Sequence, residues 1–180
     1  MTIPSADVLV NQCINGDTTA YRLLYERYNR AMFNTALRIT GNRSDAEDIL
    51  QESFADAFFE LQSFEQKASF GTWLKQIVVY KCIALLKKQR IKLVELDDEP
   101  EQTEETAYDE TETAFSVELI KKALQSMPHG YRTVLSLYLL EGYDQEEIAS
   151  ILQVAPSTVR TQYIRGKQKL LQLLKRRAHE

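Results

Sequence analysis

The stretch Asp144-Gln-Glu-Glu-Ile-Ala-Ser-Ile-Leu152, Gln153-Val-Ala155, Pro156-Ser-Thr-Val-Arg-Thr-Gln-Tyr-Ile-Arg-Gly-Lys-Gln-Lys-Leu170 decides the fold. Asp144 is a good N-cap, because its carboxylate can accept a free backbone N–H of a first helical turn. Ile148, Ala149, Ile151 and Leu152 then share one face of a short helix. Pro156 suits the first position of a second helix, where its missing N–H costs nothing. Val159, Tyr163, Gly166 and Leu170 recur there at three- and four-residue steps and point inward. Gly166 has no side chain, so the first helix of the pair is expected to cross it closely. The outward face is Ser157, Arg160, Thr161, Ile164 and Arg165, with Thr158 and Lys167 on its flanks. Two helices, a three-residue turn and a basic outer face describe a helix-turn-helix whose second helix enters a major groove.

Charge separates this reading from a helical hairpin that only packs. From Arg160 to Arg177 there are seven Lys/Arg and no acid. A one-signed stripe is costly unless a polyanion meets it. The overall net charge of −4 hides this, because residues 91–113 hold ten acids and one base, Lys92. The rest of the chain carries sixteen acids and twenty-one bases, a net of +5.

The chain has 180 residues, six glycines and four prolines, and favours strong helix formers. An all-α protein of two small helical domains follows. No apolar run approaches the ~20 residues of a membrane span, and the N-terminus lacks a basic-then-apolar leader, so a cytoplasmic protein is expected. Cys13 and Cys82 lie within helical patterns and read as buried reduced thiols. His129 and His179 have no companions at metal-site spacing, and no phosphate-binding glycine loop or nucleophile elbow occurs, so neither cofactor nor metal is expected.

In chain order, residues 6–14 read as a short helix, and Asp17 caps a second. That helix carries an apolar stripe of Tyr21, Leu24, Tyr25, Tyr28, Met32, Ala36 and Ile39, with its tyrosines as core, and stops at Gly41-Asn42. Ser44-Asp45-Ala46-Glu47 reads as a capping box with Ser44 as the N-cap. The helix it starts turns Ala46, Ile49, Leu50, Phe54, Ala57, Phe58 and Leu61 inward and Asp48, Gln51, Glu52 and Asp56 outward. Ser69 caps a further helix, and from Lys67 to Lys92 there are seven bases and no acid. Phe64, Phe70, Trp73 and Tyr80 accompany them. Cations mixed with aromatics suit opened DNA, whose unstacked bases need flat surfaces; the same aromatics also suit a core. Residues 91–113 are too acidic and too poor in apolar groups to order themselves and read as a flexible linker. Helices over 115–127 and 130–140 precede the helix-turn-helix.

Four motifs resemble the extracytoplasmic-function (ECF) sigma factors, the small promoter-specificity subunits of bacterial RNA polymerase. They are Asp45-Ala-Glu-Asp-Ile-Leu-Gln-Glu-Ser-Phe54, Ser69-Phe-Gly-Thr-Trp-Leu74, Gly142-Tyr-Asp-Gln-Glu-Glu-Ile-Ala149 and Thr158-Val159-Arg160, in the family's order and spacing. The resemblance implies a region 2 domain over 1–90, an acidic linker over 91–113 and a region 4 domain over 114–180. It implies that Asp48, Gln51 and Glu52 bind core polymerase through the clamp helices of its largest subunit. It implies that Phe64, Lys67, Ser69, Trp73 and Lys75 serve the promoter −10 element. Ser157, Thr158, Arg160, Thr161, Ile164, Arg165 and Lys167 would read the −35 element as duplex. An anti-sigma factor is implied as a further partner, and no small-molecule substrate. The chain departs from the family at Ala155, where a Ser/Thr cap is usual, at Gln162 for Arg, at Val79-Tyr80 for Arg-Asn and at Ala84 for Asp.

Three other readings compete. A stand-alone operator-binding dimer needs a dimer surface and its own duplex affinity. A metalloenzyme built on the carboxylates of residues 45–52 needs Glu-x-x-His pairs facing inward, which the sequence lacks. A scaffold without DNA leaves the two basic stretches unexplained.

Overall fold

The computed structural model describes residues 4–94 and 116–178, with side chains over 4–89 and 116–176. The described residues form eight α-helices and one 3-10 turn: α1 (Ala6–Ile14), α2 (Thr18–Thr40), α3 (Arg43–Phe59), the turn Leu61–Ser63, α4 (Phe70–Val94), α5 (Val117–Gln125), α6 (His129–Leu139), α7 (Gln145–Leu152) and α8 (Pro156–Ala178). α1 to α4 make one lobe and α5 to α8 the other. Helix α4 runs four residues into the stretch read as linker; the remainder of that stretch lies outside the described residues.

Most boundaries follow from local chemistry. Ser5 and Asp17 cap α1 and α2 by accepting backbone N–H groups of the first turn. Gly41 ends α2 in the left-handed region at φ 70°, its N–H donating to the Leu37 carbonyl at 2.8 Å. The start of α3 corrects the sequence expectation. Asn42, not Ser44, is the N-cap and accepts from Asp45 N at 3.1 Å. Glu47 therefore reaches Arg43 at 2.8 Å rather than a cap backbone. The left-handed Gly41 places Asn42 at the helix mouth, and an asparagine there caps as well as a serine.

In the first lobe, Phe70, Leu74 and Val78 of α4 meet Leu9 of α1, Leu24 and Ile39 of α2 and Leu61, all fully enclosed. Each such side chain contributes about 1.5–3 kcal/mol on burial. The tyrosines of α2 lie at the rim of this core. Tyr21 packs edge-on to Phe58 at 4.9 Å and donates to the Cys13 carbonyl at 3.1 Å, and Tyr28 leans on Phe70 at 5.5 Å.

The second lobe has two apolar centres. Leu124 and Met127 pack with Leu135, Leu170 and Leu174. Val134 and Leu137 of α6, Ile148 and Ile151 of α7 and Val159 of α8 instead continue the core of the first lobe. Gly166 does permit a close crossing, but of α6 rather than α7. A Cβ there would lie 3.2 Å from Tyr131 Cβ and from Leu135 Cδ1.

Candidate nucleic-acid interface

The helix-turn-helix is built by its caps. Asp144 Oδ1 accepts from Glu147 N, and Glu147 Oε2 accepts from Asp144 N, both at 2.8 Å. Gln153 closes α7 in the left-handed region at φ 56°. The Ala155 carbonyl accepts from Thr158 N at 2.9 Å, so the backbone begins α8 although the Ala155 side chain has no capping atom.

On α8, Ser157, Arg160, Thr161, Ile164, Arg165 and Lys167 are exposed. Ile164 sits mid-face at 50 % exposure, the right chemistry for a thymine methyl. Among the described residues no carboxylate pairs with Arg160 or Arg165, which leaves both guanidinium groups for phosphate or guanine. Thr161 donates its hydroxyl back to the Ser157 carbonyl at 2.9 Å and keeps only its acceptor capacity. Thr158 is exposed as well, at the edge of this face, where it also lines a cleft of about 640 Å³ between the lobes with Ile83, Lys87, Pro128 and Val134. Gln162 lines the same cleft and sits against Gly130 of α6, so an arginine at this position would not lie on the outer face.

The aromatics beside α4 divide. Phe70 is wholly buried, whereas Phe64 and Trp73 stack on each other with centroids 4.7 Å apart and planes 22° apart. Tyr80 is 56 % exposed. Ser69 is the cap, accepting from Thr72 N at 3.2 Å. Lys67 is exposed and pairs with Glu65. Lys75 is drawn to the other lobe, its Nζ donating to the Glu141 carbonyl at 3.1 Å. The five residues expected at the −10 element therefore share one region, but both of their cations have internal partners, Lys67 in Glu65 and Lys75 in Glu141.

Asp48, Gln51 and Glu52 are exposed on α3. Lys81 bridges Glu52 at 3.5 Å and Asp56 at 2.7 Å, and the Asp56 hydrogen bond raises the Lys81 pKa above its ordinary value. Sequence reasoning missed Phe59, which ends this face at 90 % exposure. Of the adjacent pair, Phe58 packs on Tyr21 and Phe54, which sends Phe59 outward. The spacing of Asp48, Glu52, Ala55 and Phe59, one strip at four-, three- and four-residue steps, carried that signal.

Sequence reasoning also missed the residues that join the lobes. Arg132 is 5 % exposed, and its Nη2 donates to the Thr40 carbonyl at 3.0 Å and lies 2.7 Å from His129 Nδ1. A guanidinium suits this place because the carbonyl end of α2 is the negative end of its dipole. Glu141, in the turn between α6 and α7, has a side chain 5 % exposed between Arg38 at 2.5 Å and Lys75 at 3.8 Å.

Known proteins resemble this chain over most of its length. Residues 24–91 match the sigma-70 region 2 family and residues 118–170 the sigma-70 region 4 family. The ECF RNA polymerase sigma factor SigW of Bacillus subtilis is 30 % identical, over 92 % of this chain and 95 % of its own length. The ECF RNA polymerase sigma-E factor of Haemophilus influenzae is 28 % identical over 89 % and 90 %. By fold, the chain is similar to the sigma factor RpoE of Bartonella quintana, solved with the anti-sigma factor NepR. That likeness has a TM-score of 0.56 at 21 % identity and covers 86 % of this chain and 96 % of that one. The fold is also that of CnrH, solved with the cytosolic domain of CnrY, at a TM-score of 0.55 and 22 % identity over 94 % and 97 %.

Proposed function

This chain belongs to the ECF sigma factors of bacterial RNA polymerase, and we propose that its two lobes divide promoter recognition between them. It binds core polymerase and directs transcription initiation at a defined promoter set. The exposed face of α8 carries the residue-level reading: Arg160, Thr161, Ile164 and Arg165 project from the second helix of a capped helix-turn-helix with no competing carboxylate among the described residues. Arg160 offers a bidentate bond to guanine in the −35 duplex, Ser157 and Lys167 hold phosphates, and Thr158 touches the flank of the site.

In the first lobe, Phe64 and Trp73 supply aromatic surface to the −10 strand once it separates, and Lys67, Ser69 and Lys75 hold its backbone. Asp48, Gln51 and Glu52 face polymerase on α3, with Phe59 at the end of that strip. The chain performs no catalytic step; polymerase performs the nucleotidyl transfer. It works in the cytoplasm, where polymerase is, and no described helix is long and apolar enough to cross a membrane. An anti-sigma factor joins the proposal as third partner on the strength of family membership.

The test is mixing the protein with bacterial core polymerase. Co-elution and transcripts starting at discrete promoters are expected, and Gln51→Ala with Glu52→Ala should weaken capture while leaving the helical content intact. A chain that ignores core polymerase would refute the proposal.

A further inference from the structure

Glu141 places a carboxylate between two cations of the first lobe, Arg38 and Lys75. Its Oε1 is 2.5 Å from Arg38 Nη2 and its Oε2 is 3.8 Å from Lys75 Nζ, with its side chain only 5 % exposed. Lys75 also donates to the Glu141 carbonyl at 3.1 Å and lies 5.6 Å from the centre of the Tyr143 ring. Two cations of one lobe thus converge on a single anion of the other. A phosphate diester presents the same paired anionic oxygens to an arginine fork and a lysine.

We propose that Arg38 and Lys75 form a phosphate-binding site for promoter DNA, and that Glu141 occupies it as a carboxylate stand-in while the lobes are closed. Arg38 is thereby a DNA contact outside every motif of the sequence. The inference rests on the −10 assignment of the first lobe and adds to it both a residue and a guard.

Size shows that the closed arrangement is not the working one. A folded chain of this length has a radius of gyration of about 16 Å. Elements centred 10 and 35 positions upstream lie roughly 85 Å apart along straight B-DNA, at about 3.4 Å per step. A closed chain cannot grip both, so the seam must part, and parting releases Arg38 and Lys75 together.

Parting the seam exposes the apolar residues that the two lobes share, Val134, Leu137, Ile148, Ile151 and Val159 among them. Beyond the shared apolar residues it is held by polar bonds, Arg132 to the Thr40 carbonyl at 3.0 Å and Lys87 to Gln153 at 2.9 Å, around the open cleft. Asp48, Gln51, Glu52 and the outer face of α8 stay exposed while it is closed. The closed chain can therefore meet polymerase before it can hold the −10 strand.

The experiment uses the full chain and a short fluorescent single-stranded oligothymidylate, since the proposed site contacts phosphate alone. Glu141→Gln keeps the size of the side chain and removes its charge. It should raise the radius of gyration in small-angle scattering and tighten oligonucleotide binding by about fivefold or more at low salt, since two cations lose an internal competitor. Glu146→Gln removes an equal charge from an exposed site of the same lobe and should do neither. Adding Arg38→Ala to Glu141→Gln should reverse the gain and flatten the plot of log affinity against log salt by about 0.7, the value for one phosphate contact on a single strand. The proposal is overturned if Glu141→Gln opens the chain without tightening binding, if the wild type is already as expanded as the variant, or if Arg38→Ala leaves the salt slope unchanged. Promoter-specific transcription by the wild type with core polymerase separates the two levels: where it persists, such a result removes the phosphate site alone, and where it is absent the −10 assignment falls as well.

Discussion

Arg38 Nη2 donates to Glu141 Oε1 at 2.5 Å across 103 residues of chain. Both side chains are largely withdrawn from water, at 18 % and 5 % exposure. Charges this sheltered are costly to leave single, so the pair couples the lobes energetically. A double-mutant cycle of Arg38→Ala and Glu141→Ala, read by chemical denaturation, should show a coupling of about 1–3 kcal/mol. A coupling near zero would mean that the pair is already hydrated in solution.

Two glycines with similar backbones should respond differently to alanine. Gly16 has φ 88° and open space where a Cβ would go. Gly16→Ala should cost about 1–2 kcal/mol, the strain of a left-handed alanine. Gly41 has φ 70°, and its Cβ would lie 2.5 Å from the Arg132 guanidinium. Gly41→Ala adds loss of the buried Arg132 bonds, for a total of about 3–5 kcal/mol by denaturation.

Arg160→Ala should change −35 preference by about 1–3 kcal/mol at one base pair, measured by competition among promoter variants bound to holoenzyme. A uniform loss at every −35 sequence would make Arg160 a phosphate contact instead.

The His129 pKa is held below its ordinary value, first by burial and then by the charge of Arg132. The unfolded histidine, with a pKa of about 6.5, therefore takes up a proton before the folded one as pH falls. This contribution to stability is complete above the unfolded pKa and is lost as pH drops below it toward the folded pKa. Denaturation midpoints between pH 7.5 and 5 should fall less for His129→Gln than for the wild type, by the share due to this ring.

Burial pushes the Cys82 thiol up to about 12 and, with Asp17 nearby, the Cys13 thiol up to about 11. Neither forms a thiolate at neutral pH, the species that reacts. A thiol-specific chromogenic reagent should label neither in the folded chain and both after denaturation.

The helices were legible because their signals are local. Asp17, Ser69, Asp144 and Pro156 each stand where the structure starts a helix, and Val159 and Leu170 lie on the buried face that their spacing required. The start of α3 was misread because Asn42 and Ser44 are both competent caps two residues apart, and only the left-handed turn at Gly41 decides between them. The exposed face of α8 was legible for the same reason as its core, since one period sets both. The roles of Gln162 and Gly166 were not, because each depends on α6, a helix whose position no spacing within α8 reveals.

By itself, the sequence determined the all-helical architecture, the caps of α2, α4 and α7, the exposed basic face of α8 and the family, since each is written in residues within a few turns of one another. The tertiary structure alone decided that Glu141 stands between Arg38 and Lys75 and that Arg132 closes the end of α2. Those contacts join residues far apart in the chain, and an ion pair leaves no periodicity by which either partner could announce the other.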